Sequence, residues 1–507
     1  MNNALLSLPK AAVAVAASVV LTCGLAPAAS ASGSGMAAAT TENVVNRPHT
    51  VGRWLVDDSG RVVTFHGENI VNKRAPWTPQ ALGIGEDDAA FLAKQGFNSV
   101  RLGLSWAAIE PQPGQYNDAY LAEIKQAIET FNSYGISTFL EYHQDFYTES
   151  LGGEGAPQWA TFTDGLYNPD MGLAVAQFSP AIQRAFDNFF NNRTASDGVG
   201  IRDHYVNMWD HTAAYFADTP GIIGYGPINE PSAGAETIPC ALDFCSESTL
   251  QKLRDLNKQV RDVIRRHDSE VGIWLTGYVT TVMGAPAHMG TKPDANAVYA
   301  FNSYAQVCTI PLEFPEAVCE PDHRKAINQS WAYANSQNMP AVLAEFGASK
   351  NPNLLRNQAR LSDEYMQSRF HWQYGGYDPA TTASSWQDQA LVINPARPIT
   401  EPGNTNWSNV KQLATPYPSA VAGTPTGWKT DGAFTATWNT ARADGSGAFE
   451  PGAESTIKVP NIWAPNGYRV HVEGGHAVNT PADGIFRDVD LRIAADAGAV
   501  KVTVTPA

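Results

Sequence analysis

The chain has 507 residues, 43% of them hydrophobic and 17% charged, a globular composition with room for one catalytic-sized domain and a smaller companion. Its formal net charge of −16 opposes the electrostatic attraction that supplies most non-specific affinity for a phosphate backbone, so no nucleic-acid partner is expected.

The N-terminus places Lys10 before an apolar run from Ala11 to Leu25 and then small residues around Ala29-Ser30-Ala31. This is the pattern of a secretory signal peptide over residues 1–31, and the run is shorter than the roughly 20 residues needed to cross a bilayer. Export is therefore expected, with residues 32–48 as a flexible leader. Cys23 falls inside the signal segment, leaving Cys240, Cys245, Cys308 and Cys319. An even number of cysteines in an exported chain favours disulfides. Close spacing suggests Cys240 with Cys245 and Cys308 with Cys319, although four cysteines allow three connectivities. There is no HExxH and no paired CxxC, so neither a metal nor a cofactor is expected.

From residue 49 to 412, short apolar runs that finish in polar groups alternate with amphipathic segments. The runs are 62–70, 98–106, 137–145, 222–230, 271–278, 297–304, 341–348 and 370–377. Between them lie helical patterns such as DAYLAEIKQAIETFNSYG, and STLQKLRDLNKQVRDVIRRHD with Leu250, Leu253, Leu256 and Val260 at three- and four-residue steps. Eight strands buried on both faces and separated by helices predict an α/β fold, a closed (β/α)₈ TIM barrel. An open doubly wound sheet is the weaker alternative, because no glycine-rich phosphate turn follows the first strand. Over 413–507 the texture becomes alternating and helix-free, which predicts an antiparallel β-sandwich. Its Trp428, Trp438 and Trp463 are candidates for either glycan contact or interdomain packing.

A barrel of this kind builds its active site where the strands end. Arg101, His143, Asp145, Asn229, Glu230, Tyr304, Glu345 and Trp372 all fall at or near such ends. Glu230 ends the fourth strand and Glu345 the seventh, so the two face each other across the barrel. Glycosidic hydrolysis needs such a pair, one carboxyl to protonate the leaving oxygen and one to attack.

Asn229-Glu230-Pro231, Glu345-Phe346-Gly347, Arg101 and His143 together resemble the retaining glycoside hydrolases of family 5. The strings YHQD (142–145), GAPQWATFTDGL, RAFDNFFNN and PYPSAVAGTPTGW narrow the resemblance to bacterial endoglycoceramidases and extend it over nearly the whole mature chain. That resemblance implies Glu230 as general acid/base and Glu345 as nucleophile of a double displacement. It also implies sugar contacts from Lys73, His143 and Asp145, a bond from Asn229 to the sugar 2-hydroxyl, and stacking on Trp372. Tyr304 is expected to donate to the nucleophile and Arg101 to keep it charged, while Trp159 is open between packing and substrate contact. One departure stands out: the sixth strand of such enzymes commonly ends in His-x-Tyr, and here Asn302 replaces the histidine.

The implied substrate is a glycosphingolipid, glycan plus ceramide, met at a membrane or micelle surface by a monomer. An apolar loop is expected either after the first strand, in APWTPQALGIG, or between Cys308 and Cys319. A β-glucanase, β-mannanase or glucosylceramidase on the same barrel stays open, as does a carbohydrate- or lipid-binding protein without turnover.

Overall fold

Eight parallel strands, each buried along its length, close on themselves in the computed structural model, which describes residues 44–170, 173–304, 316–375 and 389–507. The expected signal peptide, Cys23 and Cys308 lie outside the described residues. In chain order the barrel strands are His66–Ile70, Ser99–Leu104, Ser137–Tyr142, Ile222–Gly226, Gly272–Leu275, Ala297–Ser303, Ala341–Gly347 and Arg369–Trp372. The eighth pairs with the first through Arg369 opposite His66, which completes the ring. Inside it, Phe65, Phe139, Ile223, Trp274, Val298, Val342 and Phe370 form one apolar cluster. Gly224 and Gly272 are required there: a Cβ on either would come within 2.2 and 2.6 Å of the Trp274 indole nitrogen.

Outer helices form as the periodicity predicts. Asp118–Asn132 buries Tyr120, Leu121, Ile124, Ala127, Ile128 and Phe131, and the Asn117 side chain caps it by accepting from the Tyr120 N–H. Glu247–Ile264 buries Leu253, Leu256, Val260 and Val263 behind a Ser246 cap. No described helix is long and apolar enough to cross a membrane.

The C-terminal part supplies four strands to each of two antiparallel sheets, one of seven strands and one of four. Ala433–Asn439 alternates buried and half-buried side chains along its length, as a strand with one face on a core must. Trp428 and Trp438 are both core residues of this sandwich, and Trp463 packs partly buried against it, so none of the three is a free platform for a glycan.

Two expectations are corrected. The run 62–70 is not one strand. Val62–Val63 pairs antiparallel with Tyr417–Val421 of the larger C-terminal sheet, and the barrel strand starts only at His66. His49–Val51 and Trp54–Val56 belong to that same sheet. Nor are residues 44–48 part of a flexible leader. The Asn46 carbonyl oxygen of the side chain accepts from the Gly221 N–H at 3.0 Å, Ser137 donates to the Val45 carbonyl at 2.9 Å, and Arg47 bonds Asp268 at 2.6 Å. Small polar composition suggested mobility, but these residues satisfy buried polar groups at the end of the barrel where the strands begin.

Candidate active site

Arg101 lies on the second barrel strand with 2% of its surface exposed, where an unpaired charge would be very costly. Both terminal nitrogens are engaged. One terminal nitrogen donates to Glu345 Oε1 and, at 2.8 Å, to Asn69 Oδ1; the other donates to Glu141 Oε2 and, at 2.9 Å, to Asn229 Oδ1. The second oxygen of Glu345 accepts from the Tyr304 hydroxyl at 2.8 Å. Glu345 is thus fixed at both oxygens, by Arg101 of strand two and by Tyr304 just past strand six.

Glu230 follows the fourth strand with φ at 37°, left-handed backbone that a side chain other than glycine seldom adopts. The turn is held by a neighbour. Gln144 Nε2 donates to the carbonyls of Asn229 at 2.7 Å and of Glu230 at 3.0 Å, and the Asn229 N–H bonds the Tyr142 carbonyl at 2.9 Å. The half-buried Glu230 carboxyl accepts a 2.6 Å bond from Asn302 Nδ2. Burial first, then the negative charges of Glu345 and Asp145, push its pKa up to about 8, against the smaller opposing effects of Asn302 and His143. The two glutamates therefore differ in environment as an acid and a nucleophile should.

A second group sits beside them. Lys73 bonds Asp145 at 2.6 Å and lies 4.5 Å over the Trp372 ring, while His143 stacks on the same ring with centroids 5.2 Å apart. His143 Nδ1 meets Glu141 at 2.6 Å and its Nε2 lies 3.4 Å from Asp145. Burial works against the imidazolium, but Glu141 and Asp145 outweigh it and raise the His143 pKa to about 10. Burial likewise opposes the Asp145 carboxylate, and Lys73 and His143 overcome it, holding the group well below the usual range. Burial pushes Glu154, 3.8 Å from both Lys73 and His143, well above that range.

The structure thus brings together nine of the ten residues singled out from sequence: Lys73, Arg101, His143, Asp145, Asn229, Glu230, Tyr304, Glu345 and Trp372. Trp159 goes elsewhere. Its indole donates to the Glu110 carbonyl at 3.1 Å and packs edge-on against Trp106 and His204. Sequence reading passed over Asn69, Glu141, Gln144 and Glu154, all buried and all in or beside this network. Glu141 carried a usable signal, because a carboxylate within the buried strand Ser137–Tyr142 must have a cation or donor facing it. Two sets, Glu141/His143/Glu345 and His143/Asp145/Glu154, have ligand atoms within 4.8 Å of one another, but a protein cation, Arg101 or Lys73, already faces each.

A (β/α)₈ barrel that gathers two differently held glutamates, an arginine, amides and an indole at its strand ends is that of a glycoside hydrolase. Residues 56–378 match the family described as Cellulase (glycosyl hydrolase family 5), and residues 416–504 match the Glycoside hydrolase family 5 C-terminal domain. The chain belongs to glycosyl hydrolase family 5. It is similar to endoglycoceramidase I of Rhodococcus hoagii (strain 103S), 27% identical over 445 residues that cover 85% of this chain and 83% of that one. An endoglycoceramidase of Hydra vulgaris is 27% identical over 473 residues, with the same shares covered. Among solved structures, endo-glycoceramidase II from Rhodococcus sp., captured as a lactosyl-enzyme intermediate, superposes with a TM-score of 0.69 at 26% identity, covering 90% of this chain and 99% of that one.

Proposed function

We propose that the protein is an exported, retaining endo-glycosidase that hydrolyses the β-linkage between oligosaccharide and ceramide in glycosphingolipids. The observation that carries the reading is the asymmetry of the two glutamates, Glu345 gripped by Arg101 and Tyr304 and Glu230 pushed toward its protonated form. In the first step Glu345 attacks the anomeric carbon, the bond to the ceramide oxygen breaks, and Glu230 gives that oxygen its proton. In the second, Glu230 takes a proton from water as the water displaces Glu345, freeing the oligosaccharide. Loss of negative charge at Glu345 in the intermediate weakens the influence that keeps Glu230 protonated, which suits its change from acid to base. Asn229 Oδ1 accepts from Arg101, so its Nδ2 is the donor side available to the sugar 2-hydroxyl. Trp372 walls the sugar site, and Lys73, His143 and Asp145 supply its hydroxyl partners.

The ceramide half draws support from the names of the relatives and from exposed apolar surface. Ile238, Leu242 and Phe244 are 53%, 64% and 78% exposed on the loop that follows Glu230, and the Cys240–Cys245 disulfide clamps that loop. Because the general acid protonates the leaving group, ceramide departs on the Glu230 side. After the first strand, by contrast, Ile84 is buried and Leu82 and Trp77 pack on the core. We infer that the Ile238–Phe244 loop makes the contact with a micelle or bilayer. The N-terminal apolar run and the disulfide both support export.

Incubation with a ganglioside is expected to release intact oligosaccharide plus ceramide, and Glu230→Gln and Glu345→Gln each to abolish release while leaving the fold intact. Monosaccharide as product, no product, or normal turnover by either variant would refute the reading.

A further inference from the structure

Asn302 lies in the sixth barrel strand, where the resemblance led us to expect histidine, and is 4% exposed. Its Nδ2 is 2.6 Å from Glu230 Oε1 and 3.4 Å from Asn229 Oδ1. Among the described residues no other side chain donates a hydrogen bond to the Glu230 carboxyl. Gln144 holds the backbone of Glu230 but does not touch the group that carries the proton. We propose that Asn302 is a positioning residue that assigns the catalytic proton to Glu230 Oε2 and sets the upper pH at which Glu230 still acts as an acid. The inference rests on the acid/base role given to Glu230 above.

With Oε1 accepting from the amide, a proton on the carboxyl belongs on Oε2, the oxygen left to reach a leaving group. An N–H donor bonds a carboxylate more strongly than the carbonyl oxygen of a neutral acid, so it favours the ionised form. Asn302 therefore works against the groups that keep Glu230 protonated, Glu345 from the seventh strand and Asp145 from the loop after the third. His143, just past the third strand, acts in the same sense as Asn302, while the side-chain hydrogen bonds of Tyr304 and Arg101 go to Glu345 rather than to Glu230. An amide also keeps its donor at every working pH, whereas an imidazole in this place would bring a proton equilibrium of its own. Asn302 therefore adds no ionisation of its own to the alkaline limb of activity. The same amide, with Arg101, fixes the orientation of Asn229 by donating to its Oδ1.

The test is the pH profile of kcat/KM on a soluble β-lactoside with an aryl leaving group, for the full chain and for Asn302→Ala and Asn302→His. A charge-assisted hydrogen bond is strong enough for its removal to shift a pKa by about one unit. Asn302→Ala is therefore expected to move the alkaline limb upward by about one pH unit and to lower kcat, and Asn302→His to recover kcat while adding a second ionisation. A readout without turnover separates this inference from the assigned reaction: ¹³C NMR titration of glutamate-labelled protein, with the Glu230 signal identified by its loss in Glu230→Gln. An upward shift of that titration in Asn302→Ala supports the inference even if no glycoside is cleaved. An unmoved titration or an unmoved alkaline limb, with the circular dichroism of the folded protein retained, overturns it.

Discussion

Removing the Arg101 guanidinium while keeping its bulk, in Arg101→Met, would test the electrostatic logic of the site most directly. Two buried carboxylates lose their shared cation, but not equally. Glu141 keeps the His143 imidazole at 2.6 Å, whereas Glu345 keeps only the Tyr304 hydroxyl at 2.8 Å. With 4% of its surface exposed, Glu345 then has to stay charged without a cation or take up a proton. Protonating a carboxyl with an ordinary pKa near 4.3 costs about 3.7 kcal/mol at pH 7. That figure falls within the roughly 3–5 kcal/mol typical of breaking a buried ion pair from one side.

The sign with pH follows from protonation. In the variant the folded state binds a proton that the unfolded state has released, so its deficit against the wild type is small below about pH 4 and grows as pH rises to 7. Between pH 5 and pH 7 the growth is about 2.7 kcal/mol. Urea unfolding at the two pH values measures both the deficit and its slope. Activity at pH 7 should vanish with the nucleophile protonated, and Arg101→Lys, which keeps a charge but not the four-way fork, should fall between. A deficit under about 1 kcal/mol at pH 7, or one that does not shrink toward pH 5, would refute the reasoning.

The raised pKa of Glu230 means that the folded protein binds more protons than the unfolded chain between about 4.5 and about 8, so stability falls as pH rises through that window. Glu230→Gln, though inactive, should therefore raise the thermal midpoint, and more at pH 8 than at pH 5; equal shifts at both would contradict this. On the exposed loop, Leu242→Ser with Phe244→Ser should reduce hydrolysis of glycolipid in vesicles by about tenfold or more, because two large apolar side chains are withheld from lipid. A soluble glycoside should be cleaved as by the wild type, and equal rates on vesicles would remove the loop from any role in lipid contact.

The barrel was legible because its strands carry their own signal: continuous apolar runs, each stopped by polar residues, with helical periods between. Glu230 and Glu345 were legible for the same reason, as carboxylates where a buried run ends. What escaped was of two kinds. Gln144 and Asn69 act on backbone carbonyls and on Arg101, contacts made by uncharged side chains that no periodicity marks. The break within 62–70 escaped because pairing partners are not written in a local pattern. Val62–Val63 and His66–Ile70 are both buried and lie three residues apart, yet one belongs to the C-terminal sheet and the other to the barrel. Trp159 was the reverse case, a residue in a matching string whose side chain the fold uses for packing against Trp106 and His204.

The three N-terminal strands in the C-terminal sheet bear on how the chain is made. Val63 pairs with Ala420, roughly 360 residues later, so a segment synthesised early waits for one made much later before its edge is filled. Until then Val62–Val63 presents an open strand edge beside the barrel's first strand. A gene cut after residue 412 would leave that edge uncovered for good, and the shortened product should aggregate, because the early segment would have lost the late one that shields it.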